Sequence, residues 1–439
     1  MNKFHTPKSS MEEMWKLIVE LFPIHRTLVN DGFKNSLEII KRKLDITILE
    51  YDSGMEVWDW IIPNAWNVRE AYIKDSTGNR IVDFNNNNLH LAPYSAPFSG
   101  KLTKSELLKH IWTLPDDPGS IPYRTLYYKT DDWKFCIAHN DLRLFNDSEA
   151  YDVCIDIDSK PGKLCIGEYY LPGKTEKEIL ITSYLCHPSL ANDNLSGVAV
   201  AVEIMKNLAA IDNRRYSYRL LVVPECIGAT TYLATHEDQL HKIVGGYILT
   251  CCGDDGIVTY KKTYSGNSVI DKAAVHVLKN KYQDSSFNEY DFWPNGSDEQ
   301  RYNAPGVRLD VGSFMRTPYS EFAEYHTSKD NLSFISKEKL FDTLDSILRT
   351  LYVIDNDEIL NNNYKGEPFL TKHGIYQSTD LRKPDKQSIC YIQRTLMMEL
   401  DGLNSLLDIA DKWNYSFDDV YDVSREFLES GLVRIVESK

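Results

Sequence analysis

The segment ILITSYLCHPSLANDNLSG, residues 179–197, decides how this chain folds. Residues 179–186 are a mostly apolar run of strand length. A polar loop carrying His187 and Asp193 follows, and Ser196-Gly197 then opens an apolar helical stretch that reaches about residue 211. The same texture recurs further along. Strand candidates at 219–223, 247–252 and 307–311 alternate with helical stretches near 228–240, 266–281 and 336–355. Apolar strands alternating with amphipathic helices predict an α/β fold, a mainly parallel mixed sheet with helices on both faces.

The flanks have a different character. Residues 10–45 show two helical patterns, carried by Met14, Leu17, Ile18 and Leu21 and then by Leu37, Ile39, Ile40 and Leu44, separated by Asn30-Asp31-Gly32. Residues 54–155 become short β-rich pieces dense in aromatics, including Trp58, Trp60, Trp66, Trp112 and Trp133, with a hairpin signal at Asp75-Ser76-Thr77-Gly78. The run Asn361-Asn362-Asn363 reads as a linker. Beyond it, two short helices near 404–412 and 417–430 precede an apolar strand at 431–435, the outline of a winged helix. The expected organisation is therefore a discontinuous α/β domain (1–53 and 156–360), an inserted β-rich domain (54–155) and a winged-helix-like domain (365–439).

Composition narrows the function classes. At 439 residues the chain suits two or three domains, each with its own core. A formal charge of -15 with no basic patch disfavours phosphate backbones and anionic lipid. The candidate recognition helix of the winged unit carries five acidic residues (Asp418, Asp419, Asp422, Glu426, Glu429) and one basic, Arg425. No nucleic acid is therefore expected there, and the unit reads as an interaction module for a protein partner or a homo-oligomer. The apolar run at 17–24 contains Glu20 and follows acidic Glu12 and Glu13, so it is a poor secretion signal, and no stretch approaches a membrane span. None of the eight cysteines forms a C-x-x-C pair, and several lie in apolar strand-like runs, which suggests reduced thiols in the cytoplasm.

Three pieces of sequence carry chemistry. His187 and Asp193 stand just past a strand's carboxyl end, where ligands bind in sheets of this kind. Imidazole and carboxylate suit a catalytic zinc, which takes three protein ligands and leaves a position for water, although the same side chains could cap a strand and a helix. Glu225 ends the apolar strand Leu220-Leu-Val-Val-Pro224, and a carboxylate there needs a metal, a cation or a proton. For a lone Glu of this kind a structural salt bridge is the commoner answer. The third piece joins Ser297-Asp298-Glu299-Gln-Arg301 to Glu324-Tyr325-His326-Thr-Ser-Lys-Asp330.

In this order the pieces resemble the M28-type zinc aminopeptidases, whose pattern is a strand-borne His, an Asp-Asp-Asn-x-Ser-Gly turn, a Glu-Glu-x-Gly strand end, a Ser-Asp-His segment and a final Tyr-His-Thr-x-x-Asp. This chain reads His187, Asn192-Asp193-Asn194-Leu-Ser196-Gly197, Glu225-Cys226-Ile-Gly228, Ser297-Asp298-Glu299 and Tyr325-His326-Thr327-Ser-Lys-Asp330. Over nearly its whole length it looks like the bacterial aminopeptidase-like domain proteins of the DUF4910 type, which carry an inserted β domain and a C-terminal winged helix and are associated with polysaccharide biosynthesis.

The resemblance implies a zinc metallo-aminopeptidase-like hydrolase acting on a peptide or an amide-bearing small substrate. His187, Asp193 and His326 would hold one zinc and Glu225 would act as general base. Asp298, Glu299, Arg301 and Tyr325 would face the substrate, with a plain loop salt bridge as the competing role for the charged ones. The departures matter: where two-zinc members place a second Glu and a further Asp, this chain has Cys226 and Thr250, which implies the loss of the second ion. Cys226 could alternatively serve as a thiolate ligand. Ser189 replaces the Asp that usually supports the first His, so support for His187 must come from elsewhere. A cyclase or transferase on the same scaffold, and a non-hydrolytic zinc protein acting as an interaction module, are the competing functions.

Overall fold

The computed structural model describes residues 6–129, 131–147, 150–282, 286–293, 296–378 and 387–436. They fall into two compact units, 1–268 with 286–347, and 269–285 with 348–439.

The first unit is built on an eight-stranded mixed sheet. Its strands are β1 Thr47–Asp52, β2 Lys163–Leu171, β3 Glu178–Tyr184, β4 Ser217–Val223, β5 Ile243–Leu249, β6 Val258–Lys261, β7 Phe287–Tyr290 and β8 Val311–Met315. Across the sheet they run β1-β2-β4-β3-β5-β8-β6-β7. The central strands β4, β3, β5 and β8 are mutually parallel, while β1, β2 and β6 join antiparallel. Every residue of β3 is buried, because helices cover both faces of a parallel centre. That burial explains the mostly apolar run that opens the deciding segment. Its one charge, Glu178, is held by a two-pronged contact from Arg219 at 2.6 and 2.8 Å.

Helices Ser9–Leu21 and Asp31–Lys41 arise where the apolar spacing predicts them. Asn30 caps the second, its side chain accepting from the Phe33 amide at 2.9 Å. The expected strand at 307–311 is displaced to Val311–Met315. Gly306 (φ 85°) and Arg308 (φ 50°) reverse the chain there, so extension starts only at Val311.

The insert carries its own four-stranded antiparallel sheet, in the order Arg80–Asp83, Ala65–Lys74, Ala150–Lys160, Phe98–Thr103. The hairpin expected at Asp75 forms, Asp75 Oδ1 accepting from the amides of Thr77 and Asn79 at 2.9 Å each. Its core gathers Trp66, Trp133, Phe135, Tyr151, Val153 and Ile155. By contacts this sheet groups with the larger one in a single unit, and Ala150–Lys160 stays in it to its last residue.

In the second unit, Asn361-Asn362-Asn363 is not a free linker. Ile359–Asn362 is the central strand of a three-stranded sheet, between Asp401–Ser405 and Val433–Ile435. Its asparagines satisfy the polar-loop signal while their backbone pairs on both sides, and Leu360 faces inward with no exposed surface. Helices Ile389–Glu399, Leu406–Trp413 and Phe417–Glu429 complete the winged helix. Buried His276, on helix Val269–Tyr282, pairs with Asp411 at 2.7 Å and accepts from the Phe417 amide at 3.1 Å. Among the described residues no helix is long and apolar enough to cross a membrane.

Candidate metal centre

The loops at the carboxyl ends of β3, β4 and β5 converge with the loop carrying His326. His187 follows β3, Asp193 lies in the turn leading to helix Gly197–Ala209, and Glu225 follows β4. The motif's small residues make this convergence possible. A Cβ at Gly197 would lie 2.3 Å from the Leu249 carbonyl, and one at Gly228 would lie 2.5 Å from Pro224. The amides around Asp193 hold the turn rather than ligate. Asn194 accepts from the Gly197 and Cys251 amides and donates to Leu249 O, while Asn192 accepts from the Gly253 amide.

Asp193 Oδ2 lies 3.3 Å from His187 Nδ1 and 3.0 Å from His326 Nε2. All three atoms are buried and lack a hydrogen-bond partner. His187, Asp193 and His326 can present ligand atoms that lie within 4.8 Å of one another. Three orphaned donor atoms aimed at one another are costly unless a cation sits between them, and two imidazoles with a carboxylate are the donor set of a three-ligand zinc centre. The residues therefore fit a metal ion. Electrostatics agree. Although burial opposes it, Asp193 and Glu225 push the His187 imidazole up to about 10. Burial likewise opposes ionisation of Asp193, yet the two imidazoles hold its carboxyl far below the usual range.

Glu225 sits against this group, its Oε2 3.3 Å from His187 Nε2 and its Oε1 accepting from Ser297 Oγ at 3.0 Å. Cys226 stands outside it. Burial raises its thiol pKa, and its backbone amide donates to Asp298 Oδ1 at 2.6 Å. Burial, with Glu225 nearby, pushes the Asp298 acid up to about 8, and its Oδ2 has no partner. Asp298 thus lies behind Cys226 rather than in an open cleft. Glu299, a candidate substrate residue, commits one carboxylate oxygen and keeps the other, Oε2, without a partner. It is buried, and its Oε1 accepts from Lys261, from Tyr319 OH at 2.6 Å and from the Gly296 amide at 2.9 Å, the salt-bridge role. Tyr325 stacks on His326 with ring centres 3.9 Å apart. Arg301 lines a groove beside Cys226.

Four further residues support the centre. Tyr184, the last residue of β3, donates to Asp193 Oδ1 at 2.6 Å and contacts Thr250 Oγ1 at 2.7 Å. Fully buried Arg26 donates to the carbonyls of Leu185 and His187 at 2.9 and 2.7 Å, fixing the end of β3. Asp330 accepts from the Asn192 and Asp193 amides at 2.6 and 2.9 Å. Tyr123, from the insert, meets both imidazoles edge-on at 5.0 and 5.1 Å, and its amide donates to the His326 carbonyl at 2.7 Å. Of these only Asp330 had a local signal, as the last member of the Tyr-His-Thr-x-x-Asp segment. Non-glycine residues with positive φ mark the chain reversals around the centre: Ser189 51°, Cys226 62°, Cys251 49° and His326 52°. Such conformations cost about 1–3 kcal/mol each and collect where a site is held rigidly.

Comparison with known proteins extends this picture. A family model described as Domain of unknown function (DUF4910) matches residues 15–357, and one for a winged helix-turn-helix matches residues 358–435. A Clostridium acetobutylicum protein, provisionally named a polysaccharide biosynthesis protein with aminopeptidase-like domain, is 42% identical over 406 residues, 92% of each chain. The crystal structure of a provisionally assigned peptidase from Clostridium acetobutylicum superposes with a TM-score of 0.91 at 39% identity, over 98% of this chain and 97% of that one. A zinc aminopeptidase from Bacillus subtilis shares the fold, with a TM-score of 0.59 at 16% identity over 80% of this chain and 96% of its own. The span of the family match and the extent of identity to the Clostridium relative show that this chain, a peptidase-like scaffold followed by a winged helix, belongs to the DUF4910 family.

Proposed function

We propose that this chain is a zinc-dependent aminopeptidase or related amide hydrolase, with one ion held by His187, Asp193 and His326 and with Glu225 as general base. The observation that carries the reading is the convergence of three buried, unpartnered donor atoms beside a carboxylate. A bound zinc supplies Lewis acidity and brings the pKa of water near 7. Glu225 is oriented for proton transfer. Ser297 occupies Oε1, and Oε2 faces the cluster, where it would take a proton from the attacking water and deliver it to the leaving nitrogen. Tyr123 walls both imidazoles and limits the water around them.

A single ion is favoured by what surrounds Asp193 Oδ1. A carboxylate that bridged two ions would need that oxygen for the second, and here the Tyr184 hydroxyl takes it, backed by Thr250. The name of the Clostridium relative supports placing the activity in polysaccharide biosynthesis. Eight free cysteines suit the reducing cytoplasm. The acidic helix Phe417–Glu429 supports a winged unit that binds protein, through a partner or a second copy, rather than nucleic acid.

Metal analysis of the purified protein, with a panel of aminoacyl amides and amino-sugar amides assayed with and without chelator, tests the proposal. One zinc per chain and chelator-sensitive products heavier by one water are expected. Loss of ammonia from an N-terminal glutamine would point instead to a cyclase. A loaded protein inert toward every amide would leave a non-hydrolytic role.

A further inference from the structure

Trp58, Trp60, Tyr264 and Trp293 line a groove of about 560 Å³ in the first unit, a size suited to a small-molecule site. Three of these rings stay largely in water: Trp58 is 46% exposed, Tyr264 53% and Trp293 67%. Neighbouring aromatic faces left uncovered in one groove mark a place where something else covers them. Their orientation is held. The Trp58 indole N–H donates to Glu237 at 2.7 Å, the Arg308 guanidinium lies 3.8 Å over the Tyr264 ring, and Arg301 lies 5.4 Å over Trp60.

Planar hydrogen-bonding groups edge the same space. Asp59, Gln300 and Arg301 belong to the lining, and Nε of Arg301 is buried without a partner. The groove connects with the neighbourhood of Glu225 through one side chain. The Arg301 side chain reaches the Cys226 thiol, next to Glu225, and the lining includes Thr230, one turn further along helix Ile227–Thr235.

The chemistry selects the occupant. An aliphatic side chain would cover the rings but strip water from Asp59 and Arg301 without replacing their hydrogen bonds. A polyanion would meet Asp59 and a chain of net charge -15, and the two guanidiniums that could receive it, Arg301 and Arg308, are already laid over the Trp60 and Tyr264 rings. A pyranose fits both features, since its apolar C–H face packs on an indole while the hydroxyls around its edge meet carboxylate, amide and guanidinium. We propose that this groove is a saccharide subsite, which seats the sugar portion of the substrate beside the metal centre. The placement of the scissile amide rests on the hydrolase reading, whereas sugar binding itself does not.

The test titrates pyranose disaccharides, N,N′-diacetylchitobiose first, into the full-length protein, with leucine amide as apolar comparator. Saturation-transfer NMR and tryptophan fluorescence are read with and without chelator. Transfer to the ring C–H protons is expected in both conditions, with affinity reduced at least about tenfold in Trp58→Ala and in Trp60→Ala. Trp58 is half exposed, so its variant should melt as the wild type does, which separates lost binding from lost folding. No transfer to any disaccharide, wild-type affinity in both variants, or displacement of the sugar by leucine amide would each overturn the subsite. If the hydrolase reading fails, sugar still binds to an inert protein. If the subsite fails, amides turn over without preference for a sugar.

Discussion

Tyr184→Phe isolates the contact that closes one side of the metal centre. The substitution keeps the ring and its edge-on contact with His187, centroids 5.1 Å apart, and removes one hydroxyl. Asp193 Oδ1, a charged acceptor, then loses the 2.6 Å bond that the hydroxyl donates, and Thr250 loses a partner at 2.7 Å. A hydrogen bond to a charged group contributes about 1.5–3 kcal/mol, and stranding a buried acceptor costs a similar amount, so a loss of about 2–3 kcal/mol is expected in chelated protein. Because Tyr184 orients a ligand, zinc affinity should also fall, by about 10- to 100-fold. Urea unfolding of the chelated protein reads the first effect, and competition with a zinc-binding dye reads the second. Stoichiometry should remain one ion, since Cys226 and Thr250 still offer no second carboxylate. Unchanged stability together with unchanged affinity would refute the reasoning, whereas uptake of a second ion on this single change would make the Tyr184 hydroxyl, and not the missing carboxylates, the obstacle to it.

Glu225→Gln should retain zinc and lose about 10²- to 10⁴-fold in turnover, whereas His187→Ala or His326→Ala should lose the ion, as read by metal content beside kinetics. Replacing Tyr184 by Phe, Cys226 by Glu and Thr250 by Asp together should bring in a second ion, counted by elemental analysis; a triple variant that folds yet holds one would place the obstacle elsewhere. Asp298 has its pKa raised to about 8 in the fold, against about 3.9 for an unfolded Asp. Between those values the unfolded carboxyl is ionised while the folded one keeps its proton. Unfolding then releases a proton, and stability should fall as pH rises through that window. In chelated protein, Asp298→Asn should flatten this dependence in urea titrations across the range; an unchanged slope would assign it to another group.

The strands that matter most were legible because burial on both faces forces a local signature. Residues 179–186 are a mostly apolar run and 220–223 an unbroken one, and His187, Asp193 and Glu225 stand where those runs meet polar loops. Where a strand lies partly in solvent the signature fades. Asn361-Asn362-Asn363 reads as a linker although Ile359–Asn362 is a strand, because Asn361 and Asn362 pair through their backbone and need no apolar side chains. The strand near residue 310 is misplaced because the turn at Gly306 and Arg308 sets its start.

By itself, then, the sequence determined which side chains could carry the chemistry and that they sit at strand ends, because residue type, apolar length and short-range order are local properties. Tertiary structure alone decided which of them meet. Arg26 grips the end of β3 from 161 positions away along the chain, and Tyr123 reaches His326 from inside an insert. Glu299 is held by Lys261 and Tyr319, and the Tyr184 hydroxyl takes Asp193 Oδ1. Such pairings depend on which loops the sheet brings to one rim, and no pattern along the chain encodes a distance across it.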